Sequence, residues 1–172
     1  DRERLRASVV TVLYDRDSGG PIAFNALAWL PVSLRGRATH VLHLGLVMVD
    51  PAARNRGMSW LLYGFTCFIL FLRGGARPIW VSNVTQVPAV FGMVSESFAD
   101  VYPTPGAERP SFEHRLLARQ IMAGHRHAFG VGAEAGFDEE RFVITNAYTG
   151  GSDDLKKAFD AAPHHRKSMF NE

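Results

Sequence analysis

Several things are scarce in this sequence, and each scarcity excludes something. It holds one cysteine, Cys67, in 172 residues, so no internal disulfide can form and no oxidising compartment is implied. Cys67 lies inside an apolar run, without a nearby His, Lys or Arg pattern to lower its pKa. It reads as a small buried apolar residue and not as a nucleophile. Net charge is only +2, from 19 Lys and Arg against 17 Asp and Glu. That gives no whole-protein field for nucleic acid, and no nucleic-acid partner is expected. Long apolar runs are scarce as well. The longest, Met58 to Leu72, is interrupted by Ser59, Gly64 and Thr66. At about 1.5 Å per residue it spans roughly 22 Å against a bilayer core of about 30 Å, so a buried helix is expected and no transmembrane segment. Neither Gly-x-x-x-x-Gly-Lys-Ser/Thr nor Gly-x-Gly-x-x-Gly occurs, which sets aside the two best-known phosphate-binding loops. The opening Asp1-Arg2-Glu3-Arg4 is charged and runs into a strand-like segment. No signal peptide is expected from it, and the expected location is cytoplasmic. The abrupt start on a strand suggests missing elements N-terminal to it.

What is present suits a globular domain: 47% hydrophobic and 21% charged residues can build a core. One domain is expected over residues 1–150, with an insertion at about 105–141 and a polar tail over 151–172. Ala7 to Tyr14 is rich in β-branched residues and reads as a strand. The turn formers of Asp15 to Pro21 separate it from a second strand, Ile22 to Val32. A basic loop, Ser33 to Thr39, leads to a third strand at His40 to Val49. Asn55 to Arg73 reads as a helix stopped by Gly74-Gly75. Pro78 to Ser82 reads as a short strand and Pro88 to Phe98 as a helix with proline in its first turn. Ala99 to Tyr102 is expected as a strand, Ser111 to Met122 as a helix and Phe142 to Tyr148 as the last strand. The order indicates an α/β fold with a mixed sheet, antiparallel at the start and crossed by a helix in the middle.

The chemistry concentrates between Leu46 and Leu62. A strand enters the Asp50-Pro51 turn and then a helix whose first turn carries Gly57 and Ser59. The unpaired N–H groups and positive dipole end of a helix start make an anion site, and small residues let phosphate oxygens approach the backbone. Arg54 and Arg56 add charge-assisted donors. The pattern Val49-x-Pro51-x-x-Arg54-x-x-Gly57-x-Ser59-x-x-Leu62 resembles the pyrophosphate-binding motif of the GNAT superfamily of acyl-CoA-dependent N-acyltransferases, Gln/Arg-x-x-Gly-x-Gly/Ala. Ser59 replaces the final Gly or Ala and keeps a small residue there. The resemblance covers roughly Ala7 to Tyr148 and is sharp from about His40 to Phe98.

That resemblance implies a GNAT-like fold, acetyl-CoA as acyl-donor co-substrate, and transfer of an acetyl or other acyl group to an amine. It implies backbone contacts to the pantetheine from Leu46, Val47 and Val49, and a pyrophosphate held by Arg54, Asn55, Arg56, Gly57, Met58 and Ser59. Asn83 would touch the pantetheine after the next strand. The same resemblance puts a general base on the motif strand eleven residues before Arg54, at His43, a side chain that titrates near neutrality. His40 is the second candidate and faces the other side of a regular strand. The family's acidic tyrosine on the helix after Asn83 has no clean counterpart. Phe91 or Met93 falls there, and Tyr102 is the nearest phenol beyond, with Ser95 and Ser97 as weaker hydroxyls. A coenzyme-binding module without catalysis is the alternative that this departure leaves open.

The acceptor is expected to be a small-molecule or peptide amine. Arg109, His114, Arg115, Arg119, His125, Arg126 and His127 lie in the insertion. They could form a lid for an acidic acceptor, although a solvated helix and loop is the simpler reading. His125-Arg126-His127 and His164-His165 lack a carboxylate or cysteine at ligand spacing, so no metal is expected. Met58 to Leu72 is apolar nearly all round and calls for a cover: elements preceding the chain start, the insertion, or a second subunit in a homodimer.

Overall fold

The computed structural model describes residues 7–54, 56–104, 106–107 and 109–147. Contacts divide the chain into two compact units, Asp1–Val84 and Thr85–Glu172. The first holds strands β1 (Ser8–Tyr14), β2 (Pro21–Leu34) and β3 (Arg37–Val49), helix α1 (Met58–Arg73) and strand β4 (Trp80–Ser82). Its sheet runs β1-β2-β3-β4, with antiparallel β1–β2 and β2–β3 pairs and a parallel β3–β4 pair. The mixed α/β sheet expected from the sequence is therefore present.

The β2–β3 connection is tighter than the expected basic loop of Ser33 to Thr39. Leu34 pairs with Arg37, leaving only Arg35 and Gly36 in the turn, both left-handed at φ 52° and 76°. Two positive-φ residues make a type I′ turn, whose twist matches that of the strands it joins. Most of the segment expected as a loop is thereby ladder.

The β2–β3 ladder carries a register shift. Ala26 pairs with Leu46 but Ala28 pairs with His43, so Leu27 stands opposite two residues, Leu44 and Gly45. This β-bulge shifts the alternation of β3. Below it, Val47 lies across from Asn25, which in turn lies across from Thr11. Thr66 of α1 meets that row: Asn25 Nδ2 donates to its Oγ1 at 3.1 Å, and the Thr11 and Thr66 hydroxyls are 2.7 Å apart. The Thr66 hydroxyl also bonds the Leu62 carbonyl at 2.7 Å. Asn25 and Thr66 are 0% and 1% exposed, so this network satisfies its polar atoms inside a dry helix–sheet contact.

Helix α1 buries Leu62, Tyr63 and Thr66 and turns Leu61, Phe65, Phe68 and Leu72 outward, each at least half exposed. Its apolar character all round is real. On the opposite face of the sheet, the rows Val10–Ala26–Leu46 and Val12–Phe24–Met48 also carry exposed apolar side chains, Leu46 and Met48 among them.

The second unit holds α2 (Pro88–Ser97), α3 (Phe112–Gly124), a 3-10 turn (Arg126–Phe129), and the hairpin of β5 (Gly136–Asp138) and β6 (Val143–Thr145). Ala99 to Tyr102 is not a strand: Asp100 is left-handed at φ 53°, which interrupts extended backbone. The last strand is shorter than expected because Phe142 and Asn146, at φ 57° and 55°, close it at both ends. Strand β5 has no counterpart among the sequence expectations. Met122, Val131 and Ala135 form the local core, with Phe129, Phe137, Ile144 and Ala147 packed on it. The tail over 151–172 lies outside the described residues.

The Thr66 network yields a stability test. Thr66→Val keeps the shape but strands Asn25 Nδ2 and the Thr11 hydroxyl, and should cost about 2 kcal/mol. Urea unfolding should show a lower midpoint at an unchanged m-value.

Candidate functional site

The candidate site lies where β3 stops pairing with β4. β4 bonds β3 only through Val41–Trp80, Leu42–Val81 and His43–Ser82, while β3 runs on to Val49. Past that point, two side chains supply donors to the β3 carbonyls. Asn83 Nδ2 donates to the Leu44 carbonyl at 2.8 Å, and the Tyr63 hydroxyl of α1 donates to the Gly45 carbonyl at 3.0 Å.

Ladder alternation then decides which β3 groups face the opening. Asp50 N–H bonds the Ile22 carbonyl at 2.8 Å, and Met48 and Leu46 pair with Phe24 and Ala26. The groups of Leu46 and Met48 therefore point to β2, whereas those of Val47 and Val49 point to the edge away from it. Among the described residues no strand pairs with β3 at that edge. Of the three residues expected to touch the pantetheine, Val47 and Val49 turn their backbone groups to that edge and Leu46 turns its own to β2.

At the end of β3 the Asp50 carboxylate caps the 3-10 turn Pro51–Ala53, accepting from Ala52 N–H at 2.8 Å. Arg54 is exposed and its Nε reaches the Val49 carbonyl at 3.4 Å. Arg56 is exposed too, and Asn55 lies outside the described residues. Gly57 is the N-cap of α1 in the left-handed region at φ 74°, with no side-chain cap on the helix. A Cβ there would meet no atom within 4 Å, so the backbone angle and not crowding favours glycine. Ladder bonding begins with Leu61 N–H to the Gly57 carbonyl at 3.0 Å. The N–H groups of Met58 and Ser59 precede it and carry the positive end of a 16-residue helix. An uncapped helix start, two exposed arginines and an open strand edge thus lie along one continuous segment.

His43 lies opposite Ala28, on the face away from α1, because the bulge separates it from the Val47 row. It is 2% exposed, its Nδ1 is 3.0 Å from the Ser82 hydroxyl, and burial pulls its pKa down to about 4. The ring is neutral at physiological pH and a weak proton acceptor. His40 is exposed and stacked on Trp29 at 5.2 Å. Tyr102 belongs to the second unit, where its hydroxyl donates to the Glu140 carbonyl at 2.6 Å and its ring meets Phe142 edge-on. Burial pushes the Cys67 thiol up to about 11, consistent with an inert thiol.

Three basic residues of the insertion, Arg119, Arg126 and His114, are engaged within the second unit. Arg119 forms a 2.6 Å ion pair with Glu139, and Arg126 donates to the carbonyls of Met122, Gly132, Ala133 and Ala135. His114 accepts from Ser111 N–H at Nδ1 and donates from Nε2 to the Asp100 carbonyl at 2.8 Å, closing the capping box of α3. Among the described residues, no three His, Cys, Asp or Glu side chains gather as a metal site, and no helix is long and apolar enough to cross a membrane.

The third strand is bulged, a strand–turn–helix stands at its end, and a short parallel strand pairs with it up to His43. The first unit is thus a mixed α/β sheet with one helix packed on it. No family model matches the chain, and no curated protein does. Similar solved structures include an acetyltransferase of Trypanosoma brucei, at 22% identity and TM-score 0.42 over 56% of this chain and 65% of that one. Glucosamine-6-phosphate N-acetyltransferase of Arabidopsis thaliana follows at 18% identity and TM-score 0.44, over 62% of this chain and 73% of that one. Ribosomal-protein-alanine N-acetyltransferase of Brucella melitensis biovar Abortus stands at 15% and 0.41, over 59% and 72%. The chain thus spans just under two thirds of the length of the Trypanosoma protein.

Tyr63 and Gly45 were not among the expected site residues. The available signal was the pair Tyr63 and Thr66, polar-tipped residues three apart on the buried stripe of an apolar helix.

Burial of His43 has a pH consequence. Between pH 6.5 and about 4 the unfolded chain binds a proton at this ring that the folded chain refuses, so folding stability is full above that window. It should fall on acidification through the window, by about 3 kcal/mol at most. Urea titrations at about pH 7 and about pH 4.5 should show this loss in the parent protein and a smaller one in His43→Gln.

Proposed function

We propose that the protein binds acyl-coenzyme A and transfers its acyl group, acetyl in the first instance, to an amine of a small molecule or peptide. The observation that carries this reading is the uncapped start of α1 at Gly57, with Arg54 and Arg56 beside it, at the end of a strand whose Val47 and Val49 edge is open. The pyrophosphate takes the N–H groups of Met58 and Ser59 with the flanking Asn55, Arg54 and Arg56. The pantetheine amides take the backbone of Val47 and Val49 as an added strand would. Asn83, with Nδ2 committed to Leu44, keeps its Oδ1 for that arm.

In the transfer, the amine nitrogen attacks the thioester carbon, the carbon–sulfur bond breaks, and the coenzyme leaves as thiolate. The amine proton goes to water and the thiolate takes one back. Val47 N–H is a candidate donor to the oxyanion. His43, at about 4, is too weak an acceptor for an alkylammonium proton, so the acceptor enters as the free amine. His43 would act as base only if the strand pair opened to water.

A second reading keeps the coenzyme site without turnover. It is favoured by the burial of His43 and by the engagement of the Tyr102 hydroxyl with the Glu140 carbonyl.

Coenzyme A should raise the melting temperature. At one hundred times Kd the stabilisation is about 2.7 kcal/mol, or roughly 5 °C and more for a chain of this size. Gly57→Val, which forces a β-branched residue to positive φ, should remove most of that shift. A parent protein whose melting is indifferent to millimolar coenzyme A would sink the coenzyme reading. Binding with no thioester loss against a broad amine panel would select the second reading over transfer.

A further inference from the structure

We infer that Tyr63 is a positioning residue that sets the register in which an extended, amide-bearing ligand pairs with β3; this rests on the coenzyme reading above. In a continued parallel ladder, the carbonyls of Leu44 and Gly45 would take N–H groups from the next residues of β4. That ladder stops at His43–Ser82. The Asn83 amide takes the Leu44 carbonyl instead, and the Tyr63 hydroxyl takes the Gly45 carbonyl at 3.0 Å.

Gly45 and Val47 present neighbouring ladder groups to the same edge, the carbonyl of one beside the N–H of the other. With Gly45 occupied, pairing with a ligand begins at Val47 and runs toward Val49 and the turn. Were the Gly45 carbonyl open, the same ligand could pair one step of two residues, roughly 7 Å, further from the helix start. A ligand whose anionic end is held at Gly57 to Ser59 tolerates only one of these registers. The Tyr63 phenol is 6% exposed, and burial raises its pKa, so it remains a protonated donor. It projects from the same helix that carries the anion site at its first turn, so one rigid element fixes both ends of the ligand.

The test compares two ligands on three proteins. The ligands are coenzyme A and adenosine 3′-phosphate 5′-diphosphate, which has the anionic half and no pantetheine amides. Tyr63→Phe removes only the hydroxyl. Thr66→Val weakens the same helix away from Gly45 and controls for loss of stability. The expected result is a Kd for coenzyme A raised about five-fold or more in Tyr63→Phe, with the nucleotide Kd unchanged. Thr66→Val should leave the ratio of the two Kd values at the parent value. A folded Tyr63→Phe with both Kd values unchanged would overturn the inference, as would equal weakening of both ligands or the same ratio shift in Thr66→Val. A parent protein that binds neither ligand would overturn the coenzyme reading itself.

Discussion

The candidate site depends on the bulge at Leu44 and Gly45. One extra residue in β3 moves His43 to the sheet face opposite the Val47 row, and the pairing with β4 stops at Ser82. The carbonyls of Leu44 and Gly45 take side-chain donors. A half-buried carbonyl without a donor is costly, so the opening between β3 and β4 persists because Asn83 and Tyr63 supply donors. This end of the sheet is therefore held by side-chain hydrogen bonds. Helix α1 is held to it twice, by Tyr63 at the bulge and by Thr66 at the Asn25 row.

The elements nearest the motif were the most legible in sequence, because local chemistry decides them. Pro51 and Gly57 bracket a turn whatever packs around it, and Gly74-Gly75 ends a helix on backbone grounds alone. Which of Leu46, Val47 and Val49 face the edge away from β2 was not legible, because register, a pairwise property of β2 and β3, decides it. The same limit hid the two-residue turn at Arg35-Gly36, where charge resembled a loop and backbone angles made a hairpin. β5 escaped because three residues, Gly136–Asp138, carry no period to read.

The basic insertion shows a different failure, since charge in a sequence does not reveal whether it is already spent. Arg126 reads as a free cation, yet it satisfies carbonyls at the end of α3 and in the loop after it. Arg119 is matched by Glu139. His114 serves as one half of a helix cap, its tautomer set by two backbone partners. These contacts build the second unit. An acidic acceptor would have to compete with them, so the basic count of the insertion is no argument for its charge.

His43 marks the tension between stability and catalysis in the first unit. A histidine suits proton transfer by type, but burial of His43 drops its pKa to about 4. Lowering a base's conjugate acid so far below neutrality weakens proton abstraction while protecting the core from a buried charge. The open edge at Val47 and the anion site at Gly57 need no ionisation to work. On the proposed reading, binding would rest on backbone geometry that the sheet enforces, whereas turnover would require an amine that arrives unprotonated or a ladder that loosens at Ser82. Affinity for the coenzyme should accordingly vary little with pH near neutrality, and any transfer rate should climb with the free-amine fraction of the acceptor.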